Sequence, residues 1–199
     1  MLRCCMDYIN RCSKPSSTSE MASILASATK AAHSTVTSLL EASQVTPGST
    51  IPTAEVKENA PDKAFTFEGI TGKNVFIGVP GAFTTPCNGH IPPYIQSCGK
   101  FKEKGVKDIY VVAVNDAFVT QAWKKELAPD GTEIRFIADD TSAFIGALGM
   151  LFDASSLLGA PRSKRFVIIT EGDKITHVAV EPEPAKVTVT GADKILALL

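Results

Sequence analysis

NVFIGV at Asn74–Val79, running directly into PGAFTTPCNGH at Pro80–His90, decides how this chain is read. A short apolar run closed by a Pro-Gly pair has the pattern of a buried strand feeding a loop. Beyond the loop, Thr84 or Thr85 is suited to cap a helix and Pro86 to occupy its first turn. Cys87 is thereby placed where unpaired backbone N–H groups and the positive end of a helix dipole favour an anion. Lowering a free-cysteine pKa from about 8.5 to about 6 makes roughly 90% of a thiol ionised at pH 7, a gain of only about 30-fold. Fast chemistry therefore also needs groups that polarise the bond being broken. Taken alone, a cysteine at this position is equally well read as a small buried hydrophobe.

Outward from this stretch, DIYVVAV at Asp108–Val114, IRFIA at Ile134–Ala138, RFVIIT at Arg165–Thr170 and ITHVAV at Ile175–Val180 read as further strands. The last two form a hairpin across Glu171-Gly172-Asp173-Lys174. Helices are expected over Cys87–Lys104, Phe118–Leu127, Thr141–Leu148 and Asp193–Leu199, with Pro92 and Pro93 kinking the first or delaying its regular start. The order β-α-β-α-β-α-β-β-α combines crossover units with a terminal antiparallel hairpin. It predicts an α/β fold, a mixed central β-sheet with helices on both faces, compatible with a thioredoxin-like architecture.

This pattern occupies residues 46–199. Residues 1–45 are different: rich in Ser, Thr and Ala, holding Cys4, Cys5 and Cys12, with Asp7, Glu20 and Glu41 as their acids. Ile24, Leu25, Ala28, Ala32, Val36, Leu39 and Leu40 recur at roughly helical spacing, so 20–42 is expected as an amphipathic helix weakened by its β-branched and Ser residues. The segment is read as an N-terminal extension, either an organelle-targeting presequence or a tail that docks on the domain.

The chain has 199 residues, of which 44% are hydrophobic, enough for one cored domain with an appendage. Its 20 Lys and Arg are dispersed among 21 Asp and Glu, which offers no footprint for nucleic acid. No apolar run approaches the roughly 18 residues that a membrane-spanning helix requires. Five cysteines are odd in number and lack zinc spacing, which favours a reducing compartment. The cytoplasm is expected, with the mitochondrion as the alternative if 1–45 is a presequence. Asp139-Asp140 reads as a loop and helix cap rather than a metal pair, and no metal site is expected.

The spacing Pro80-x-x-x-Thr84-x-x-Cys87 resembles the active-site signature of peroxiredoxins, and PGAFTTPCNGHIPPY resembles its form in the type-five, or type II, class. VNDAFVTQAW (Val114–Trp123), SKRFVIIT (Ser163–Thr170) and VEP (Val180–Pro182) resemble later segments of that class in the same order. The resemblance implies a thioredoxin-fold thiol peroxidase that reduces hydrogen peroxide and alkyl hydroperoxides, with no cofactor because the thiolate is itself the redox centre. It also implies that Cys87 is the peroxidatic cysteine, that Thr84 hydrogen-bonds the thiolate and the peroxide, and that Pro80 shields the sulfur. Arg165, preferred by the resemblance over Arg162, holds the thiolate and the leaving oxygen. Gly81, Phe83 and His90 are expected around the substrate pocket. A homodimer is expected, with most of Phe83, Phe118, Trp123 and Phe144 in the core and some in the dimer contact.

In several members of the class a resolving cysteine occupies positions that align here with Val189 and Val111. Cys98, Cys12, Cys4 and Cys5 remain as candidates. If the helix after Cys87 were continuous, Cys98 would lie about 16 Å along its axis, whereas a disulfide needs Cα atoms within about 7 Å. A one-cysteine mechanism is therefore expected, with glutathione, glutaredoxin or thioredoxin as reductant. A redox sensor or chaperone-like binding protein on the same fold, without sustained turnover, is the alternative. A disulfide oxidoreductase is disfavoured by the lack of any C-x-x-C.

Overall fold

In the computed structural model, residues 42–199 are described; the helix expected over 20–42, nearly all of the 1–45 extension, and Cys4, Cys5 and Cys12 lie outside them. The apolar run that opens the reading is strand β3 (Lys73–Val79), whose residues beyond Lys73 are all buried. Such a run suits a strand covered on both faces. Before it come the short β1 (Val56–Glu58) and β2 (Ala64–Phe65); after it come β4 (Val106–Ala113), β5 (Arg135–Ala138), β6 (Leu151–Phe152), β7 (Arg162–Ser163), β8 (Phe166–Glu171) and β9 (Lys174–Val180). Seven strands form one sheet in the order β2-β1-β5-β4-β3-β8-β9, and β6 pairs with β7 separately. Strands β3, β4 and β5 are parallel, and every other pairing is antiparallel.

Alternation along β3 sorts the core into two layers. Val75, Ile77 and Val79 face one cluster with Cys87, Tyr94, Phe101, Trp123 and Ile195. Phe76 faces the other with Phe67, Tyr110, Phe144 and Leu148. Helical elements thus cover both faces of a mixed sheet, as expected. The hairpin turn is Gly172-Asp173, with Gly172 at φ 56°. Arg165 lies just before β8, and the expected strand is shifted by one residue.

The single helix expected over Cys87–Lys104 is instead three short ones: α1 (Thr85–His90), α2 (Pro92–Gln96) and α3 (Cys98–Glu103). Pro92 and Pro93 lack the N–H needed to continue α1 and suit the first turn of a new helix, so the chain breaks at Ile91. The remaining helices are α4 (Ala117–Leu127), α5 (Ala143–Ala147), α6 (Ser155–Leu158) and α7 (Ala192–Leu196). Asp116 caps α4 by accepting the N–H of Val119 at 3.0 Å. Asp139 accepts the N–H groups of Phe144 and Ile145 at the start of α5, while Asp140 pairs with Lys57 at 2.6 Å. Among the described residues, no helix is long and apolar enough to cross a membrane.

Candidate active site

Strand β3 ends at Val79, and the chain leaves the sheet through Pro80 and Gly81, both buried. A tight turn follows: the carbonyl of Gly81 accepts the Thr84 hydroxyl at 3.0 Å and the Thr84 N–H at 3.4 Å. Phe83 sits inside this turn at φ 63°, a left-handed conformation that costs a non-glycine residue about 1 kcal/mol. The loop after β4 holds the turn in place, because Asn115 Oδ1 accepts the Ala82 N–H at 3.0 Å. Thr84 occupies the helix cap position, but its side chain makes no cap bond because the hydroxyl is spent on Gly81. The capping expectation is corrected on that ground.

Cys87 falls in the first turn of α1 and is fully buried. A helix of six residues sums few peptide dipoles, so the helix gives an anion less support than the sequence suggested. The nearest cation gives more. Arg165, also fully buried, directs Nη2 at Cys87 Sγ from 3.3 Å. Its other donors are engaged too: Nη1 meets His90 Nδ1 at 3.0 Å, and Nε donates to the carbonyl of Pro184 at 2.9 Å. Arg162 lies beside the Gly81 turn and spends its donors on the carbonyls of Val114 at 2.6 Å and Leu158 at 3.2 Å.

A guanidinium only donates, so His90 Nδ1 must accept and Nε2 carries the proton, which goes to the carbonyl of Thr190 at 2.8 Å. The Tyr94 hydroxyl donates to the same carbonyl at 2.5 Å. Burial pushes the His90 imidazole down to about 4; the Thr190 bond opposes this and the Arg165 charge adds to it. His90 is therefore neutral near pH 7. With 1% exposure it does not border an open pocket; it braces the guanidinium from behind. Burial likewise pushes the Tyr94 phenol up, so it remains a donor.

Of the residues singled out in the sequence, the structure joins Cys87, Arg165 and His90 by hydrogen bonds and places Pro80, Gly81, Phe83 and Thr84 in the loop before α1. Cys98 is a free, half-buried thiol at the start of α3. It belongs to a shallow hollow with Lys102, Lys107 and Glu133 by the start of β4, at the opposite end of the parallel strands from Cys87. Because Ile91 and Ser97 interrupt the helix, the separation argued from a continuous helix no longer applies. Val111 is buried in β4 and Val189 is exposed. Sequence reasoning missed Tyr94, Pro184, Thr190 and Glu181. Two of these had a signal: Tyr94 closes the PGAFTTPCNGHIPPY stretch, and Glu181 is the one acid of the VEP stretch.

The pattern described as Redoxin matches residues 46–196. The chain is 45% identical over 155 residues to Peroxisomal membrane associated protein 20 of Schizosaccharomyces pombe, covering 76% of this chain and 97% of the relative. The structure of reduced Prx3 in complex with hydrogen peroxide from Vibrio vulnificus superposes with a TM-score of 0.72 at 34% identity, over 78% of this chain and 100% of that one. Peroxiredoxin 5 from Alvinella pompejana gives 0.70 at 35% identity, over 77% and 96%. With its thioredoxin-like mixed sheet, this chain belongs to the redoxin family and is a peroxiredoxin, a thiol-dependent peroxidase.

Proposed function

We propose that Cys87 is the peroxidatic thiol and Arg165 its charge partner. The observation that carries this reading is the buried Nη2 to Sγ contact of 3.3 Å. The Cys87 thiolate attacks one peroxide oxygen in line with the O–O bond. An S–O bond forms and the O–O bond breaks; the sulfur loses two electrons to become a sulfenic acid, and the leaving oxygen takes the electron pair and a proton to depart as water or alcohol. Arg165 stabilises the thiolate and then the charge growing on the leaving oxygen. Thr84 orients the peroxide once its hydroxyl turns from Gly81, Pro80 excludes water without offering a donor, and Gly81 and Phe83 border the approach.

Hydrogen peroxide and alkyl hydroperoxides are the substrates in this reading, the former supported by the Vibrio relative solved with it. A small thiol then attacks the sulfenic acid, releasing water and leaving a mixed disulfide that a second thiol reduces. We assign that role to glutathione with glutaredoxin, or to thioredoxin, because the cysteines within the described residues, Cys87 and Cys98, belong to opposite ends of the parallel strands. The peroxidase domain spans 46–199. The cysteine usage supports a reducing compartment, the cytosol, with the mitochondrion as the alternative; a fluorescent fusion of the full chain decides between them. A homodimer is supported by exposed Phe83, Phe118 and Leu157, whose neighbouring segments are tied together by the Ala82–Asn115, Arg162–Val114 and Arg162–Leu158 bonds.

The test is to react pre-reduced protein with one equivalent of hydrogen peroxide in the presence of dimedone and to map the adduct. The reading expects it on Cys87, in wild type and Cys98→Ser alike. An adduct confined to Cys98 would overturn the assignment. Turnover under glutathione with glutaredoxin, compared with the thioredoxin system, identifies the reductant.

A further inference from the structure

The VEP stretch carries part of the resemblance, yet the chemistry at Cys87 gives Glu181 no task. Glu181 is only 4% exposed, and a buried carboxylate needs partners. It has five donors. Oε1 accepts the N–H groups of Thr188 at 2.6 Å, Val189 at 2.8 Å and Thr190 at 2.8 Å, together with the Thr190 hydroxyl at 2.8 Å. Oε2 accepts the Thr188 hydroxyl at 2.6 Å. Burial alone would raise its pKa; the bonds from Thr188 and Thr190 outweigh this and hold the carboxyl at about 2.

Three consecutive N–H groups converging on one oxygen fix the path of residues 188–190. That path delivers the Thr190 carbonyl to His90 Nε2 and the Tyr94 hydroxyl. The stretch from Glu181 to Thr190 that this carboxylate closes meets Arg165 directly at two earlier points: the Glu181 N–H donates to the Arg165 carbonyl at 2.9 Å, and the Pro184 carbonyl accepts Arg165 Nε. Of the three bonds made by the guanidinium, one therefore ends on this segment and a second ends on a histidine that the segment holds.

We propose that Glu181 is a positioning residue for peroxide reduction: by folding residues 181–190 around its carboxylate, it holds the Arg165 guanidinium against Cys87 Sγ. This rests on the reading of Cys87 and Arg165 as the reacting pair. Glu181 touches neither sulfur nor substrate, so its whole effect on the rate passes through Arg165.

That routing is testable by a double-mutant cycle on the full chain, measuring the rate of peroxide attack and its pH profile for wild type, Glu181→Ala, Arg165→Ala and the double variant. Glu181→Ala is expected to slow attack by about ten- to a hundredfold, a part of what losing a transition-state donor costs, and to move the rise in rate to higher pH. The double variant is expected to be no slower than Arg165→Ala, because residues acting through one another are not additive. Glu181→Gln keeps one carbonyl oxygen for the four donors on Oε1 and turns its amide to the Thr188 hydroxyl, so it is expected to recover most of the rate; a charge effect would not recover.

If Glu181→Ala fails to fold, Thr188→Val with Thr190→Val strips the two hydroxyl bonds and is expected to show a smaller loss in the same direction, again absent in an Arg165→Ala background. A slow Arg165→Ala alongside an unaltered Glu181→Ala, or effects that multiply in the double variant, overturns the positioning role and leaves the site intact. An unaltered Arg165→Ala overturns the reading of the site and this inference with it.

Discussion

Around Cys87, proton positions follow from one donor-only group. Arg165 offers N–H to Cys87, His90 and Pro184, so each of these must accept. Arg165→Ala removes the buried cation and is expected to slow peroxide attack by on the order of 100-fold or more. Arg165→Lys is expected to recover little, since an ammonium cannot reach three fixed acceptors as a planar fork does. Stopped-flow rates on the reduced proteins check both, and an unaltered rate would move the charge role away from Arg165. His90 carries a pH consequence. Its pKa of about 4 in the fold lies below the ordinary 6.5, so the unfolded chain takes the proton more readily. The contribution is complete above pH 6.5 and is lost as the pH falls towards 4, by about 3 kcal/mol. Asp139, raised by burial to about 6, acts with the opposite sign over an overlapping range, so the comparison must be with a variant. Between pH 7 and 4, urea melts should show wild type losing about 3 kcal/mol more than His90→Asn; equal losses would contradict the buried neutral imidazole. The nearness of Arg165 to Cys87 was legible in the sequence through the resemblance. The His90–Arg165 bond was not, because no motif gives the imidazole a partner and its accepting nitrogen is fixed only by the Thr190 carbonyl that takes the other ring N–H.

Among the elements, the long apolar strands were legible and the short ones were not. β3, β4, β8 and β9 announce themselves by runs of β-branched residues, whereas β1, β2, β6 and β7 have two or three residues and no period to detect. The broken helix after Cys87 was legible only as a kink at Pro92. Its division into three depends also on Ser97, which carries no breaker signal. Within β3, Gly78 has a packing role that its sequence context hides. A Cβ there would overlap the ring of Phe166, the residue next to Arg165. Gly78→Ala should therefore displace Phe166, costing about 1–3 kcal/mol by overpacking, and slow peroxide attack through Arg165. Phe166→Leu added to Gly78→Ala should restore part of both. Wild-type stability and rate in Gly78→Ala would show that the ring moves freely.

For the whole molecule, the sheet brings three exposed apolar residues, Phe83 in a loop and Phe118 and Leu157 in helices, to one edge beside the site. Phe83 and Phe118 follow the C-terminal ends of the adjacent parallel strands β3 and β4, and Arg162 ties the helix of Leu157 to the same edge. Phe118 is 73% exposed, and aromatic residues are enriched at protein interfaces relative to the rest of the surface. The homodimer proposed above predicts that wild type sediments as a dimer and Phe118→Glu as a monomer in sedimentation velocity while Cys87 remains oxidisable; a Phe118→Glu profile identical to wild type would remove this face from the interface. The central claim concerns one sulfur, and peroxide consumption tests it most directly. Pre-reduced wild type and Cys87→Ser are compared with excess dithiothreitol, and each is followed by intact mass. The account predicts many turnovers in wild type and none in Cys87→Ser. Sustained turnover in Cys87→Ser, or a wild type that leaves peroxide untouched with Cys87 still reduced, would contradict it.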